Sequence, residues 1–403
     1  MTQKSKTRSP SPPDPSSFLP YDHAAAGHDG VQASGDFLAK PCTAAEVGFY
    51  ASARQHQDFH KHLPLYIGTI TPGALDQNQL PTLAKNIVPE WVPSGGKKLD
   101  TGLCIILENV TAGFKKPNVI DLKLGSRLYA DDAPAEKRRK LEQVSEETTS
   151  GSLGFRVAGM KVYRPQTDPT EQSRYPEHVT VENDGYVRYS KHYGKAISAE
   201  NISEAFVDFF GGAKALKKPH GTAHVVERLA AKIRSLVESL KTEEIRIYSA
   251  SILMVYEVDE DAMRGAVEAE KAQFAANGNQ TAEHDAGVNP VLESGSEQPP
   301  LSNGLNGSVL NSILDKINRG EDLAGMEAEH DDEADDDVED DDDNEDDDGI
   351  VSETPQKICD MRLIDFAHAK WCPGEGPDLN VLEGAQAVLK ILDQLVPRKV
   401  PKD

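Results

Sequence analysis

The segment Pro117-Asn-Val-Ile-Asp-Leu-Lys-Leu-Gly125 constrains the fold most. Val119 to Leu124 reads as a short buried strand that runs into a glycine turn. Asp121 and Lys123 are two apart, so in a strand they point to the same face. Pro117 suits the start of a strand, where no ladder N–H is needed. Gly125 lets the backbone turn sharply. A carboxylate and an ammonium side by side at a strand end can take a proton from a hydroxyl and steady a phosphoryl group. The same two residues can equally be a structural ion pair.

Ahead of this strand, Phe37-Leu-Ala-Lys40 reads as a strand and Thr43 to Gln55 as a helix capped by Thr43. Leu65 to Ile70 and Leu103 to Val110 read as strands, which together suggest a small α+β lobe. Lys40 ends its strand just before the helix that carries Glu46. A strand lysine paired with a helix glutamate holds ATP phosphates in kinase-like folds; a solvated pair is the plainer reading. Cys104-Ile-Ile-Leu-Glu-Asn-Val-Thr111 is an apolar strand that breaks into polar residues, as an inter-lobe hinge or any strand ending in a loop would.

Beyond Gly125 comes a basic helical segment, Ala135-Glu-Lys-Arg-Arg-Lys140. Lys137 and Lys140 are three apart and share a helical face, which Arg138 and Arg139 cannot both join. Such a run is either a solvated face or part of a site for a strongly anionic ligand. Thr148 to Tyr163 reads as a turn followed by a strand, and Lys191 to Lys195 precedes a helix from Ser203 to Phe210. Gly221 to Leu240 is a long amphipathic helix with Val225, Leu229, Ile233, Leu236 and Leu240 on one stripe. Arg246 to Glu257 reads as a strand with a small polar kink at Ser249-Ala-Ser251. Met361 to Ala369 is a strand ending in Asp365-Phe-Ala-His368, and Val381 to Leu395 a closing helix.

Composition matters in one place. Residues 259–355 show no sustained strand pattern and are expected to be a disordered acidic insertion. Residues 327–348 alone hold 17 Asp or Glu and no Lys or Arg. Setting them aside from the net charge of −24 leaves −7, so the folded part can still gather cations locally. The expected organisation is a disordered N-terminus at 1–20, an N-lobe at 21–112, and a C-lobe at 113–258 and 356–403 that the insertion interrupts. Cys42, Cys104, Cys359 and Cys372 lack metal-ligand spacing and read as reduced, intracellular cysteines. No secretory leader, membrane span or direct nucleic-acid contact is expected.

Several of these segments, in order, resemble the inositol polyphosphate kinase family. They are Ala26-Gly-His28, Phe37-Leu-Ala-Lys40, Leu63-Pro-Leu-Tyr66, the Pro117 to Gly125 signature, Gly154-Phe-Arg-Val-Ala-Gly-Met160 and Ile364-Asp-Phe-Ala-His368. The Thr148 to Tyr163 stretch is most similar to the family's fungal multikinase branch. One motif departs: where the family has Ser-Ser-Leu-Leu, this chain has Ala250-Ser-Ile-Leu253, which keeps only the second serine, Ser251. The resemblance implies a two-lobed, protein-kinase-like α+β fold with ATP and Mg²⁺ between the lobes. It implies that Lys40 and Glu46 serve ATP phosphates, and that Glu108 and Val110 present backbone to adenine. Asp121 would be the base and Lys123 the bridge to the moving phosphoryl. Asp365 and Ser251 would attend the metal, and Lys137, Lys140 and His368 the substrate. The implied reaction is 6-/3- and 5-phosphorylation of inositol trisphosphate and tetrakisphosphate; a hexakisphosphate kinase or a trisphosphate 3-kinase is the sibling alternative. A nuclear interaction protein acting through residues 327–348 is the alternative of another class, and a nuclear and cytoplasmic location is expected.

Overall fold

The computed structural model describes residues 19–21, 23, 25, 30–70, 102–164, 173–216, 222–282 and 357–395. All belong to the larger of the two units into which the chain divides, residues 13–286 with 356–403. The smaller unit, residues 1–12 with 287–355, contributes none.

The first lobe holds β1 (Leu19–Pro20), β2 (Gln32–Ser34), β3 (Phe37–Pro41), α1 (Ala44–Ala53), α2 (Gln57–His60), β4 (Tyr66–Ile70) and β5 (Cys104–Glu108). Its strands form one antiparallel sheet in the order β1-β2-β3-β5-β4. The second lobe opens with β6 (Pro117–Leu124), α3 (Ala135–Glu146), α4 (Thr149–Leu153), β7 (Phe155–Tyr163), β8 (Val179–Val181) and β9 (Tyr186–Tyr189). Helices α5 (Lys191–Ala196), α6 (Ile202–Phe209), α7 (Ala213–Leu216) and α8 (Thr222–Thr242) follow. It closes with β10 (Ile245–Ile247), β11 (Ser251–Glu257), α9 (Glu260–Ala282), β12 (Cys359–Ile364), β13 (Ala369–Trp371) and α10 (Leu379–Leu395). Six of these strands pair in the order β12-β11-β6-β7-β9-β8, and β10 pairs with β13 apart from them. Among the described residues, no helix is long and apolar enough to cross a membrane.

Period-two alternation sorts the central strand β6 into two faces. Ile120, Leu122 and Leu124 point into the main core with Ile252, Met254, Met361 and Leu363, alongside the buried stripes of α8 and α10. Val119 packs on the other side, in a small separate cluster with Val110 and Val255. Asp121 and Lys123 share that side with Val119. Helix α10 comes so close to the start of β7 that a Cβ on Gly384 would stand 2.1 Å from the Gly154 carbonyl oxygen. Only a residue without a side chain fits there, and Gly154 also holds a φ of +70°.

Five expectations need correction. Leu19 and Pro20, expected to belong to a disordered N-terminus, form β1 and pair with β2, while residues 1–18 lie outside the described residues. The region expected to be disordered from 259 starts with a helix, α9. Asp259 accepts the Ala262 N–H, Ala262 and Ala266 are buried, and Glu270 pairs with Arg228 of α8. Its buried face is built of alanines, which a search for large apolar residues passes over. The acidic run 327–348 and the rest of that region lie outside the described residues. Finally, the strand expected over Arg246 to Glu257 is two strands in different sheets. Ser249 breaks it with a left-handed φ of +61°. Likewise the turn before β7 is a helical turn, α4, capped by Thr148, and Lys191 to Lys195 themselves form a helix.

One buried titratable group makes a stability prediction. His62 follows α2, its carbonyl accepts the Leu363 N–H at 2.7 Å, and its ring lies 3.5 Å from the Ser235 hydroxyl of α8. Burial, then the charges of Lys61, Arg362 and Lys232, push its imidazole down to about 3. An unfolded chain takes up this proton near pH 6.5, and the folded one does not until about pH 3. Stability therefore falls as pH falls through that window, by about 1.4 kcal/mol per pH unit from this group. His62→Gln should flatten the plot of urea midpoint against pH between about pH 6 and 5. An unchanged slope would mean that the ring is protonated in the fold.

Candidate active site

The two sheets face each other across a cleft of about 660 Å³, counting its open mouth. Leu38, Leu107 and Val110 wall it from the first lobe, and Leu253 and Ile364 from the second. Lys40, Asp121 and Asp365 bring charge to the same space. Apolar walls around a few convergent charges suit a flat ring attached to an anionic tail.

Glu108 and Val110 both line the cleft at the crossing between lobes. The Glu108 backbone N–H donates to the Leu65 carbonyl at 2.9 Å, and its carboxylate accepts the Leu65 N–H at 3.3 Å. That carboxylate is also held by Arg362 of β12, with Nη2 3.3 and 3.4 Å from its oxygens. Arg362 pairs in addition with Asp360 at 2.7 Å. A buried ion network thus ties the second lobe's edge strand to the hinge of the first. Breaking such a network by removing one partner leaves an uncompensated charge.

The charged centre is built by a helix cap and a strand end. Thr43 accepts the Glu46 N–H at 3.2 Å, which starts α1 and fixes Glu46 in its first turn. Glu46 is buried and meets Lys40 Nζ at 2.9 Å. On the other side Lys40 Nζ meets Asp365 Oδ1 at 2.6 Å. Burial works against the Lys40 ammonium, but Asp365 and Glu46 override it and hold the group above the usual lysine range. Asp365 directly follows β12 with φ +70°, a left-handed conformation that aspartate tolerates better than most residues. The reversal lets the Phe366 N–H reach Glu46 at 3.3 Å and stacks Phe366 on Phe49 of α1, with centroids 4.7 Å apart.

The sheet register lays out the cleft floor. Lys123 stands opposite Ser251 on one side and Arg156 on the other, and Asp121 stands between Leu253 and Gly159. Lys123 Nζ donates to the Ser249 carbonyl at 2.7 Å. The Ser251 hydroxyl is fully buried and has no hydrogen-bond partner. Arg156 Nη1 donates to the Ser150 hydroxyl at 2.9 Å. Burial lowers the Arg156 guanidinium, and the Asp121 charge opposes that, so Arg156 acts on Asp121. Sequence reading quoted Arg156 without giving it a part. The available signal was parity, because a strand that buries Phe155 and Val157 sends Arg156 to the opposite face.

Lys137 and Lys140 are exposed on α3, beyond the end of β6. Arg138 folds back, giving Nε to the Ala133 carbonyl at 2.7 Å and Nη2 to the Asp131 carbonyl, while Arg139 faces solvent. His368, three residues past Asp365, is held below the usual imidazole range by burial first, then by Lys137, with Lys123 adding to it. Lys137 and Lys123 thus lie within electrostatic reach of His368. The donors present fit a hard divalent cation: one carboxylate at Asp365 and an orphaned hydroxyl at Ser251. Among the described residues no three His, Cys, Asp or Glu cluster into a complete cage. An ion here would take its other ligands from water and a bound anion, as Mg²⁺ commonly does.

Three comparisons bear on this site. A family model described as inositol polyphosphate kinase matches residues 104–393. The inositol polyphosphate multikinase of Saccharomyces cerevisiae is 32% identical over 406 aligned positions, covering 92% of this chain and 96% of that protein. That of Schizosaccharomyces pombe is 33% identical over 239 positions, covering 59% of this chain and 78% of its own. Inositol hexakisphosphate kinase 1 of Rattus norvegicus is 33% identical over 154 positions, only 38% of this chain and 31% of its own. Among solved structures, inositol phosphate multikinase Ipk2 from S. cerevisiae, in complex with ADP and Mn²⁺, superposes with a TM-score of 0.53 at 23% identity. It covers 90% of this chain and all of that one.

Proposed function

The chain belongs to the inositol polyphosphate kinase family and is an ATP-dependent inositol polyphosphate kinase, and we propose that one cleft carries out successive phosphoryl transfers as a multikinase. The observation that carries this reading is the convergence of Lys40, Asp121 and Asp365 on a single apolar-walled cleft. Likeness along nearly the whole chain to a multikinase, against 38% coverage by a hexakisphosphate kinase, supports the multikinase type.

Adenine enters between Leu38, Leu107 and Val110, beside the Glu108 carbonyl. Lys40, oriented by Glu46, draws on the phosphates of ATP. Asp121 accepts the proton of the attacking ring hydroxyl, with the Arg156 guanidinium as a nearby positive charge. Lys123 moves from the Ser249 carbonyl to bridge the transferred phosphoryl and the substrate. Lys137, Lys140 and His368 receive the substrate's other phosphates. Asp365, with the Ser251 hydroxyl, would hold Mg²⁺, which would supply charge neutralisation for the transfer.

The substrates we propose are inositol 1,4,5-trisphosphate and then the tetrakisphosphate, at the 6-/3- and 5-hydroxyls. Incubation with ATP, Mg²⁺ and a panel of inositol phosphates, with products resolved by isomer, tests this. Turnover of the hexakisphosphate alone would favour the sibling kinase, which the Asp121-Leu-Lys123 form accommodates. A nuclear as well as cytoplasmic location, with basic nuclear partners bound by residues 327–348, is a separate proposal that rests on the charge of that run. Deleting it should abolish such binding and spare kinase activity.

The basic helix yields its own expectation. Each charge-assisted contact is worth roughly 1.5–3 kcal/mol. Losing two, in Lys137→Ala with Lys140→Ala, should therefore lower kcat/KM for the inositol phosphate by about two orders of magnitude or more, with KM for ATP little changed. An effect confined to ATP would contradict the assignment.

A further inference from the structure

Arg127 lies two residues past Gly125, at a fixed point of the backbone. Its N–H donates to Asn380 Oδ1 at 2.8 Å, and its carbonyl accepts from Asn380 Nδ2 at 3.0 Å. From there the half-buried guanidinium runs between two aromatic rings, 4.9 Å from the Tyr129 centroid and 5.0 Å from that of Tyr248. Its Nη2 pairs with Asp131 Oδ1 at 2.5 Å. The other oxygen of Asp131 takes Lys370 Nζ at 3.1 Å, across 239 residues of sequence. One exposed carboxylate thus bridges two cations from distant parts of the chain. Arg127 Nε is buried and has no hydrogen-bond partner.

This cluster adjoins the substrate side of the cleft. The Tyr248 N–H donates to the His368 carbonyl at 3.2 Å, and the next residue, Ser249, gives its carbonyl to Lys123. The Ser249 hydroxyl donates to the Leu128 carbonyl at 2.9 Å, which fixes the Arg127 segment against the same turn. Arg127 is therefore one aromatic ring away from the residue that carries the Lys123 contact.

We propose that Arg127 and Lys370 form a second phosphate subsite at the cleft mouth, with Asp131 as the resident counter-anion that a substrate phosphate displaces. A guanidinium held between two rings is already oriented, so little freedom is lost when it takes a new anion. Exposed carboxylate pairs are weak, so displacing Asp131 costs little. A phosphate group brings about −1.5 to −2 charge and three acceptor oxygens, against one charge and two oxygens for the carboxylate. The Lys370 and Arg127 hydrogen bonds hold Asp131 below the usual carboxylate range, so it is charged at neutral pH and competes. The subsite favours substrates with one more phosphate, and Asp131 limits that preference. The inference rests on the substrate class proposed above.

The test compares kcat/KM for inositol tetrakisphosphate with that for inositol 1,4,5-trisphosphate in the full chain. Lys370→Gln and Arg127→Met should each lower the tetrakisphosphate value about tenfold, and the trisphosphate value by less than about threefold. Asp131→Asn should raise the tetrakisphosphate value several-fold. A ratio that none of the three variants moves would overturn the subsite, as would equal losses on both substrates. If the parent protein turns over neither compound, it is the functional reading that fails. The subsite is then judged by titration with inositol hexakisphosphate as the probe: it requires weaker binding to Lys370→Gln and tighter binding to Asp131→Asn, and the absence of either rejects it.

Discussion

Asp365→Asn should lower turnover by about three orders of magnitude or more while leaving the melting temperature within a few degrees of the parent. The size follows from the position. Among the described residues, Asp365 is the one acidic side chain of the second lobe paired with Lys40, at 2.6 Å, and it is the carboxylate we assign to the divalent ion. A metal's charge stabilisation is worth several kcal/mol at the transition state, and each 1.36 kcal/mol is a factor of ten. The fold should survive for a local reason. Asparagine tolerates the left-handed φ of +70° at least as well as aspartate, so the turn into Phe366 is kept. Glu46 continues to hold Lys40 at 2.9 Å and to accept the Phe366 N–H. Activity within a few fold of the parent, at saturating Mg²⁺ and ATP, would remove Asp365 from the metal.

Asp121→Asn is expected to cost kcat roughly 10²- to 10⁴-fold, the usual range for a positioned general base. KM for ATP should change little, since the contacts we propose for ATP are with Lys40 and the Glu108–Val110 segment. The substitution is isosteric in a site where Asp121 is 3% exposed, so packing between Leu253 and Gly159 is undisturbed. The pH profile separates a base from a merely electrostatic carboxylate. Loss of a base removes the acidic limb of kcat/KM, whereas loss of a remote charge lowers the curve and keeps its shape. A profile of unchanged shape would therefore reject Asp121 as the proton acceptor even if the rate fell.

What could be read from the sequence was local. The β6 strand was legible because period-two alternation separates Ile120, Leu122 and Leu124 from Asp121 and Lys123 within eight residues, Pro117–Leu124. Helix α1 was legible because Thr43 can cap it, and α8 because Val225, Leu229, Ile233, Leu236 and Leu240 repeat at helical spacing. The closeness of Lys40 to Glu46 is a six-residue matter, whereas its pairing with Asp365 spans 325 residues and no periodicity encodes it. The same holds for Glu108 with Arg362, 254 residues apart, and for Arg156, whose place beside Lys123 depends on the β6–β7 register and its bulge. Family resemblance supplied Asp365, because its motif is contiguous. It could not supply Arg127 or Lys370, which share no motif and meet only at Asp131.

The edge position of β12 sets an order of assembly. A ribosome that has reached residue 356 has made Lys40, Glu46, Asp121 and Lys123, but not the strand that pairs with β11 along Ser251 to Tyr256. Until Cys359–Ile364 emerges, that rim of the sheet offers unpaired backbone groups to any other chain. Phe49 also lacks both of its stacking partners, Phe366 and Trp371. The nascent protein is then inactive and adhesive at once, and both conditions end with the same short strand. Premature termination after residue 282 should accordingly send the product to chaperones and proteases instead of leaving a partly active kinase.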